Sequence, residues 1–188
     1  GKTLAVWQAL QACPEHDILI ICPKGGMPQW RRTIAHAGPH AKTVTILNYE
    51  RTKSLLSAPV DSKRRSVRGK NNELAKHGSP KRTWPLVVFD ESHRLRNPNA
   101  QQSMACRQMA DAASFTIYMS ATAGQSPHEL AYLGRLLGFA AGVQTDALDG
   151  FRTLMKQLRI GRAKGRWKNW SWTPNDHDRQ VMADLLYK

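Results

Sequence analysis

Leu86-Val87-Val88-Phe89-Asp90-Glu91-Ser92-His93 is a short apolar run that ends in two carboxylates and a histidine. Such a run, too brief for a helix and rich in valine, reads as a strand buried on both faces of a parallel sheet. Two carboxylates at the end of a buried strand can hold a metal ion and activate a water. Asp-Glu pairs are common, and alone this one would decide little. Its counterpart stands at the start of the chain, where Gly1-Lys2-Thr3 puts a lysine and a hydroxyl at the head of a helix. Those groups in that place can meet β- and γ-phosphates and Mg²⁺. Together the two pieces read as the halves of a nucleotide triphosphatase site. A third piece, Ser120-Ala121-Thr122, directly follows the apolar run Phe115-Thr116-Ile117-Tyr118-Met119.

The elements between these pieces alternate strand and helix, the pattern of an α/β parallel sheet covered on both faces. A helix is expected over 3–11, then a central strand at Asp17-Ile18-Leu19-Ile20-Ile21-Cys22. Gly25-Gly26-Met27-Pro28 turns the chain, and Pro28 suits the first turn of a helix through Ala37. Further strands are expected over 43–47, 85–89 and 115–119. Asn99 is placed to cap a helix running to about Ala112. Ser126-Pro127-His128-Glu129 has the form of a capping box opening a helix through Leu137. No internal repeat is visible.

The chain has 188 residues, about one domain, and a formal net charge of +14. That excess of Lys and Arg calls for an anionic partner, with nucleic acid ahead of an acidic membrane surface. No apolar stretch is long enough to span a bilayer, and the start carries no signal-peptide pattern. Cys13, Cys22 and Cys106 are scattered, without metal-ligand spacing, as expected of buried thiols in a reducing, cytoplasmic setting. A motif cut at residue 1, without an initiator Met, leads to the expectation of a fragment whose upstream phosphate-loop glycines precede Gly1.

Two segments fall outside the alternation. Residues 57–83 hold Lys63, Arg64, Arg65, Arg68, Lys70, Lys76, Lys81 and Arg82 with little apolar content. They read as a basic insertion, either a solvated loop or an arm on phosphates. Residues 161–172 interleave Arg162, Lys164, Arg166 and Lys168 with Trp167, Trp170 and Trp172. Such interleaving can bind nucleic acid by charge and stacking, but packing of the tryptophans is the commoner use of such residues. The alternation from Trp170 to Trp172 suits a strand, and Thr173-Pro174 would start a final helix.

In their order, Gly-Lys-Thr, Asp-Glu-x-His and Ser-Ala-Thr resemble the first motor domain of a superfamily-two helicase or translocase. Asp90-Glu91-Ser92-His93-Arg94-Leu95-Arg96-Asn97-Pro98 is similar to the Asp-Glu-Ala-His-x-x-Lys-Asn-Pro signature of the Swi/Snf-like ATPases. Ile21-Cys22-Pro23-Lys24, with Trp30 seven residues after Pro23, resembles that family's motif Ia region. Leu47-Asn48-Tyr49-Glu50 resembles its motif Ib. Ser120 to Gln125, with the helix that follows, resembles its motif III. Ser92 stands for the usual Ala, a change that preserves a metal site. Ser-Ala-Thr replaces the Thr-Gly-Thr common in chromatin remodellers and puts remodelling in doubt without touching hydrolysis. The basic composition and compact spacing also resemble phage or prophage members.

The resemblance implies a RecA-like lobe over 1–138 and an extension over 139–188. That extension leads toward a second lobe, with its arginine finger, that is not seen here. It implies ATP and Mg²⁺ as cofactors. Gly1, Lys2 and Thr3 would hold the phosphates, with Thr3 and Asp90 on Mg²⁺. Glu91 would orient and deprotonate the attacking water. His93 would link that site to Ser120, Ala121 and Thr122, and so to the nucleic-acid groove. Lys24, Arg31, Arg32, Asn48 and Tyr49 are candidates for strand contact, although a charged helix surface explains the three basic ones nearly as well. The motor would contact backbone rather than base edges, so DNA is preferred over RNA only through the family. Two other classes stand beside this reading. One is a non-catalytic nucleic-acid-binding module that keeps the fold. The other is a different phosphate-loop enzyme such as a kinase, which leaves Ser-Ala-Thr and Asn97-Pro98 unaccounted for.

Overall fold

Five of the six residues of β1 (Asp17–Cys22) are buried, as are all five of β3 (Leu86–Asp90). Strands apolar on both sides must lie at the centre of a sheet, and these two pair directly in parallel. β2 (Thr43–Asn48) and β4 (Phe115–Met119) are only partly buried and flank them, giving the order β2-β1-β3-β4 with every neighbour parallel. The computed structural model describes residues 1–38, 40–57, 78–97, 100–122 and 127–140, with short stretches at 153–155, 157, 162–163, 170–171, 180–181 and 184.

Register sets the two faces. Ile46, Ile20, Val88 and Ile117 are matched across the four strands. That row packs into a core with Trp7 and Leu10 of α1 (Lys2–Ala12) and Trp30 of α2 (Met27–His36). The next row is Leu47, Ile21, Phe89 and Tyr118. It belongs to the opposite face, where Phe89 and Tyr118 stack with ring centroids 5.2 Å apart. Ile21 and Phe89 are fully buried, as a sheet flanked by helices requires. α3 (Gln101–Ala112) buries Ala105, Cys106 and Met109 and packs against the 3-10 turn Tyr49–Leu55.

The expected strands and helices of this sheet are present within a residue or two at each end. α3 begins differently from expectation: Ala100 occupies its N-cap without a side-chain hydrogen bond, and Asn99 lies outside the described residues. The helix expected from the Ser126 box also differs. Its first part, Pro127–Leu133, is a 3-10 helix, followed by α4 (Gly134–Ala140); Ser126 is outside the described residues. Residues 58–77 of the basic insertion are outside them as well, but its ends meet. Ser57 N–H donates to the Ser79 carbonyl at 2.8 Å, Lys81 N–H to that of Leu55 at 2.8 Å, and Leu56 bridges Pro80. In the tryptophan-rich segment, β5 (Arg162–Ala163) pairs antiparallel with β6 (Trp170–Ser171); Trp167, Trp172 and the helix start at Thr173 are not among the described residues.

The chain forms two compact units: Gly1–Arg94 with Asn99–Ala121, and Leu95–Pro98 with Thr122–Lys188. The sheet lies wholly in the first. No helix among the described residues is long and apolar enough to cross a membrane.

Candidate active site

Because all four strands are parallel, their carboxyl ends lie along one edge of the sheet. The segments leaving that edge are Pro23-Lys24, Asn48-Tyr49, Asp90-Glu91 and Ser120. Open α/β sheets bind their ligands beyond that edge. α1 begins there too, since Lys2 Nζ donates to Glu91 Oε1 at 3.0 Å. Gly1 is the N-cap, no side chain caps the helix, and its first turn holds no acidic residue. The helix dipole and N–H groups at this end suit an anion. Thr3, the next candidate, is half-buried.

Glu91 sits just past β3 with φ at +53°, the one non-glycine residue with positive φ among the described residues. A side chain in that region costs of order 1–3 kcal/mol, a strain that persists where the surroundings enforce it. Here the Glu91 carboxylate has two side-chain partners. Besides Lys2, Glu91 meets His93 Nδ1, which lies 3.2 Å from Oε2. The same nitrogen is 3.1 Å from Ser120 Oγ. Lys2, Glu91, His93 and Ser120 thus form one continuous chain, assembled from α1, the end of β3, the 3-10 turn Ser92–Leu95 and the end of β4. Glu91 is 33% and Lys2 50% exposed, so the pair adds little to stability. Its effect is to bring these groups together.

Asp90 is held quite differently. The residue as a whole is 9% exposed, and Oδ2 accepts from the indole Nε1 of Trp30 at 2.9 Å. Its carbonyl accepts from the Tyr49 hydroxyl at 2.8 Å. Tyr49, grouped by sequence with the strand-contact candidates, is therefore an interior residue with no exposed surface. The Arg94 guanidinium lies 5.6 Å from its ring centroid and 3.5 Å from Glu50. Burial, then the nearby Cys106 and Asp90, push the Tyr49 phenol far above its ordinary range, so it remains a donor. Asn48 also acts on its own backbone, where its Oδ1 accepts from Arg51 N–H at 3.1 Å and caps the turn Tyr49–Leu55. Beside Asp90, the Cys22 thiol is pushed up to about 12 by burial and by the carboxylate's charge.

Lys24, Arg31 and Arg32 are exposed, Lys24 in the turn that follows β1 and the arginines on α2. Ala121, between Ser120 and Thr122, is exposed and brings no polar side chain. In the second unit, Arg96 Nη2 donates to Thr122 Oγ1 at 3.0 Å and reaches its carbonyl at 3.5 Å, while Nε lies 3.6 Å from Glu129. Trp30 and Arg96 received no site role from the sequence. A tryptophan set among Gln29, Arg31 and Arg32 was the signal for the first. For the second it was an arginine at the signature's lysine position.

No group of three or more His, Cys, Asp or Glu among the described residues could cage a metal. Mg²⁺ needs no such cage, since it takes one or two protein oxygens and completes its shell with phosphates and water. Asp90 and Thr3 are oxygen donors of that kind. The arrangement can therefore receive an anionic phosphate at Lys2 and the head of α1, a hard cation at Asp90, and a water at Glu91.

Residues 2–157 match the family model described as the SNF2-related domain. No curated protein matches the chain. Among solved structures, the chain is similar to the Sulfolobus solfataricus SWI2/SNF2 ATPase core in complex with dsDNA, with a TM-score of 0.55 and 14% identity. The match covers 97% of this chain and 36% of that one. At such identity the likeness bears on the fold alone.

Proposed function

Because the chain belongs to the SNF2-related domain family, a family of ATPases and translocases, we propose that it is the N-terminal motor lobe of an ATP-dependent DNA translocase. The observation that carries the reading is the chain Lys2–Glu91–His93–Ser120. It joins a phosphate-binding lysine, a candidate base and the residue leading into Ser-Ala-Thr. A non-catalytic module would have no use for that continuity.

Lys2 and the N–H groups at the start of α1 would hold the β- and γ-phosphates, while Thr3 and Asp90 would provide oxygens for Mg²⁺. ATP would be the phosphoryl donor, and Mg²⁺ would supply positive charge to offset the negative charge building up on the phosphoryl oxygens. Glu91, released from Lys2 by the incoming phosphate, orients the attacking water and takes its proton. His93 keeps Glu91 in register with Ser120, so the state of the phosphate site is communicated toward the DNA-contacting segments. Lys24, Arg31 and Arg32 contribute charge to the DNA-facing surface.

The lobe spans 1–138, and residues 139–188 lead toward a second lobe that supplies the arginine needed for full turnover. Such an arginine is worth about 10³ to 10⁵ in rate where one is used. The net charge of +14 supports a polyanionic partner. Duplex DNA is the first candidate, as it is the molecule bound in the Sulfolobus structure. The test is phosphate release by the full-length protein with and without duplex DNA. Stimulation by DNA is expected; equal rates across DNA concentrations would remove the translocase reading.

A further inference from the structure

Three tryptophans among the described residues are buried: Trp7 and Trp30 completely and Trp84 to within 5%. The indole nitrogens of Trp7 and Trp84 have no hydrogen-bond partner among the described residues. Burial alone therefore does not supply this fold's tryptophans with acceptors. Trp30 is the exception, and its acceptor is a carboxylate oxygen, Asp90 Oδ2, at 2.9 Å. The two residues are sixty positions apart. The bond joins α2, which follows β1, to the end of β3.

We propose that Trp30 is a positioning residue for the metal-binding carboxylate: its indole N–H holds Asp90 Oδ2 and so assigns the other oxygen, Oδ1, to the metal. The proposal rests on the reading that Asp90 binds Mg²⁺ with the nucleotide. The torsion that turns a carboxylate about its last bond is soft and roughly two-fold. An exposed aspartate samples it freely, with water filling both oxygens. Asp90 is buried, so an oxygen without a donor is costly, and a donor to an ionised acceptor makes one of the stronger hydrogen bonds. The indole thus fixes the torsion. The Tyr49 hydroxyl fixes the other end of the residue through its carbonyl. Gly26, in the turn before α2, also lies beside this oxygen: a Cβ added there would stand 3.8 Å from Oδ2, in ordinary contact. Oδ2 thus faces α2 and its leading turn and is taken by the indole, which leaves Oδ1 as the oxygen for a cation.

Removing the group that orients a metal ligand commonly lowers metal affinity about 10- to 100-fold. The experiment measures the affinity of the full-length protein for a fluorescent non-hydrolysable ATP analogue, with Mg²⁺ absent and with Mg²⁺ saturating. The ratio of the two dissociation constants reports the coupling between nucleotide and metal. Trp30→Phe should leave the metal-free affinity unchanged and reduce that ratio about 10-fold or more. Because the smaller ring could destabilise the core, the same measurement is made with benzothienylalanine placed at position 30. It keeps the bicyclic shape and lacks the N–H donor, and the same loss is expected. Wild-type ratios in that variant would show that Trp30 only packs and would overturn the proposal. Asp90→Asn separates the Trp30 role from the metal assignment beneath it. Loss of the Mg²⁺ effect in Asp90→Asn together with a normal ratio for benzothienylalanine sinks the Trp30 role alone. A Mg²⁺ effect that survives Asp90→Asn sinks the metal assignment itself.

Discussion

Lys2 and Glu91 lie 89 positions apart in the chain and meet at 3.0 Å across the carboxyl edge of the sheet. The residue suited to bind phosphate and the residue suited to activate water are each other's partners. Neither is deeply buried, so a phosphate can replace Glu91 as the partner of Lys2 at small cost.

Lys2→Ala should therefore separate binding from folding. Nucleotide affinity is expected to fall at least about tenfold, the equivalent of 1.4 kcal/mol, when the charged group facing the phosphates is removed. Thermal stability should change by less than about 1 kcal/mol, because an exposed pair contributes little. Calorimetric melting beside nucleotide titration checks both. A large drop in stability with intact binding would mean that Lys2 serves the fold.

Ser120 meets the same His93 nitrogen that faces Glu91, so Ser120→Ala should loosen the imidazole without removing a phosphate or metal ligand. ATP affinity is expected to stay within a factor of about two, while the ratio of DNA-stimulated to basal hydrolysis falls toward one. Steady-state hydrolysis with and without duplex DNA reads this directly. A preserved ratio would confine His93 and Ser120 to local packing.

The ends of the basic insertion are pinned beside each other by Ser57, Ser79, Leu56 and Pro80. Residues 61–76 can thus be replaced by a short linker without pulling on the strands. Their removal takes out Lys63, Arg64, Arg65, Arg68, Lys70 and Lys76. If these side chains neutralise phosphates, DNA affinity falls and the slope of log affinity against log salt becomes shallower by about 0.9 for each phosphate no longer neutralised. Fluorescence anisotropy over a salt series measures both quantities. An unchanged slope would make the insertion a passive surface loop.

Burial pushes the thiols of Cys22 and Cys106 from 9.0 up to about 12, with the Asp90 charge adding to the effect at Cys22. The folded state holds these protons more tightly than the unfolded chain. Their contribution to stability is complete below about pH 9 and disappears as pH rises toward 12. Alkylation at pH 8 should modify the half-buried Cys13 first and leave the other two until the chain unfolds. Mass spectrometry of labelled peptides checks the order. Rapid native labelling of Cys106 would contradict the packing of α3 against the Tyr49–Leu55 turn.

Much of the sheet was legible because β1 and β3 are continuous apolar runs, a pattern with few other homes in a short chain. Their parallel order then brings Lys2, Glu91, His93 and Ser120 to one edge. Tyr49 and Asn48 were less legible. A tyrosine next to a strand end looks the same in sequence whether it faces a ligand or the interior. The deciding factor was the Asp90 carbonyl, a buried acceptor 41 positions away that needed a donor. The role of Trp30 was hidden for the same reason, since its partner is visible only after β1 and β3 are paired. The start of α3 at Ala100 shows the limit of capping preference: the helix is anchored by Cys106 and Met109 in the interior and forms without a side-chain cap. The strained backbone of Glu91 left no mark in composition at all.

DNA-stimulated phosphate release by the full-length protein beside its Glu91→Gln variant puts the proposed mechanism to its hardest trial. The substitution keeps the shape of the side chain and the Asp90 carboxylate, and removes the carboxylate proposed to take the water's proton. Glu91→Gln is expected to bind Mg²⁺·ATP as the wild type does and to release phosphate at background rate, with or without DNA. Equal rates in the two proteins would show that Glu91 is not the base and would contradict the mechanism at its centre.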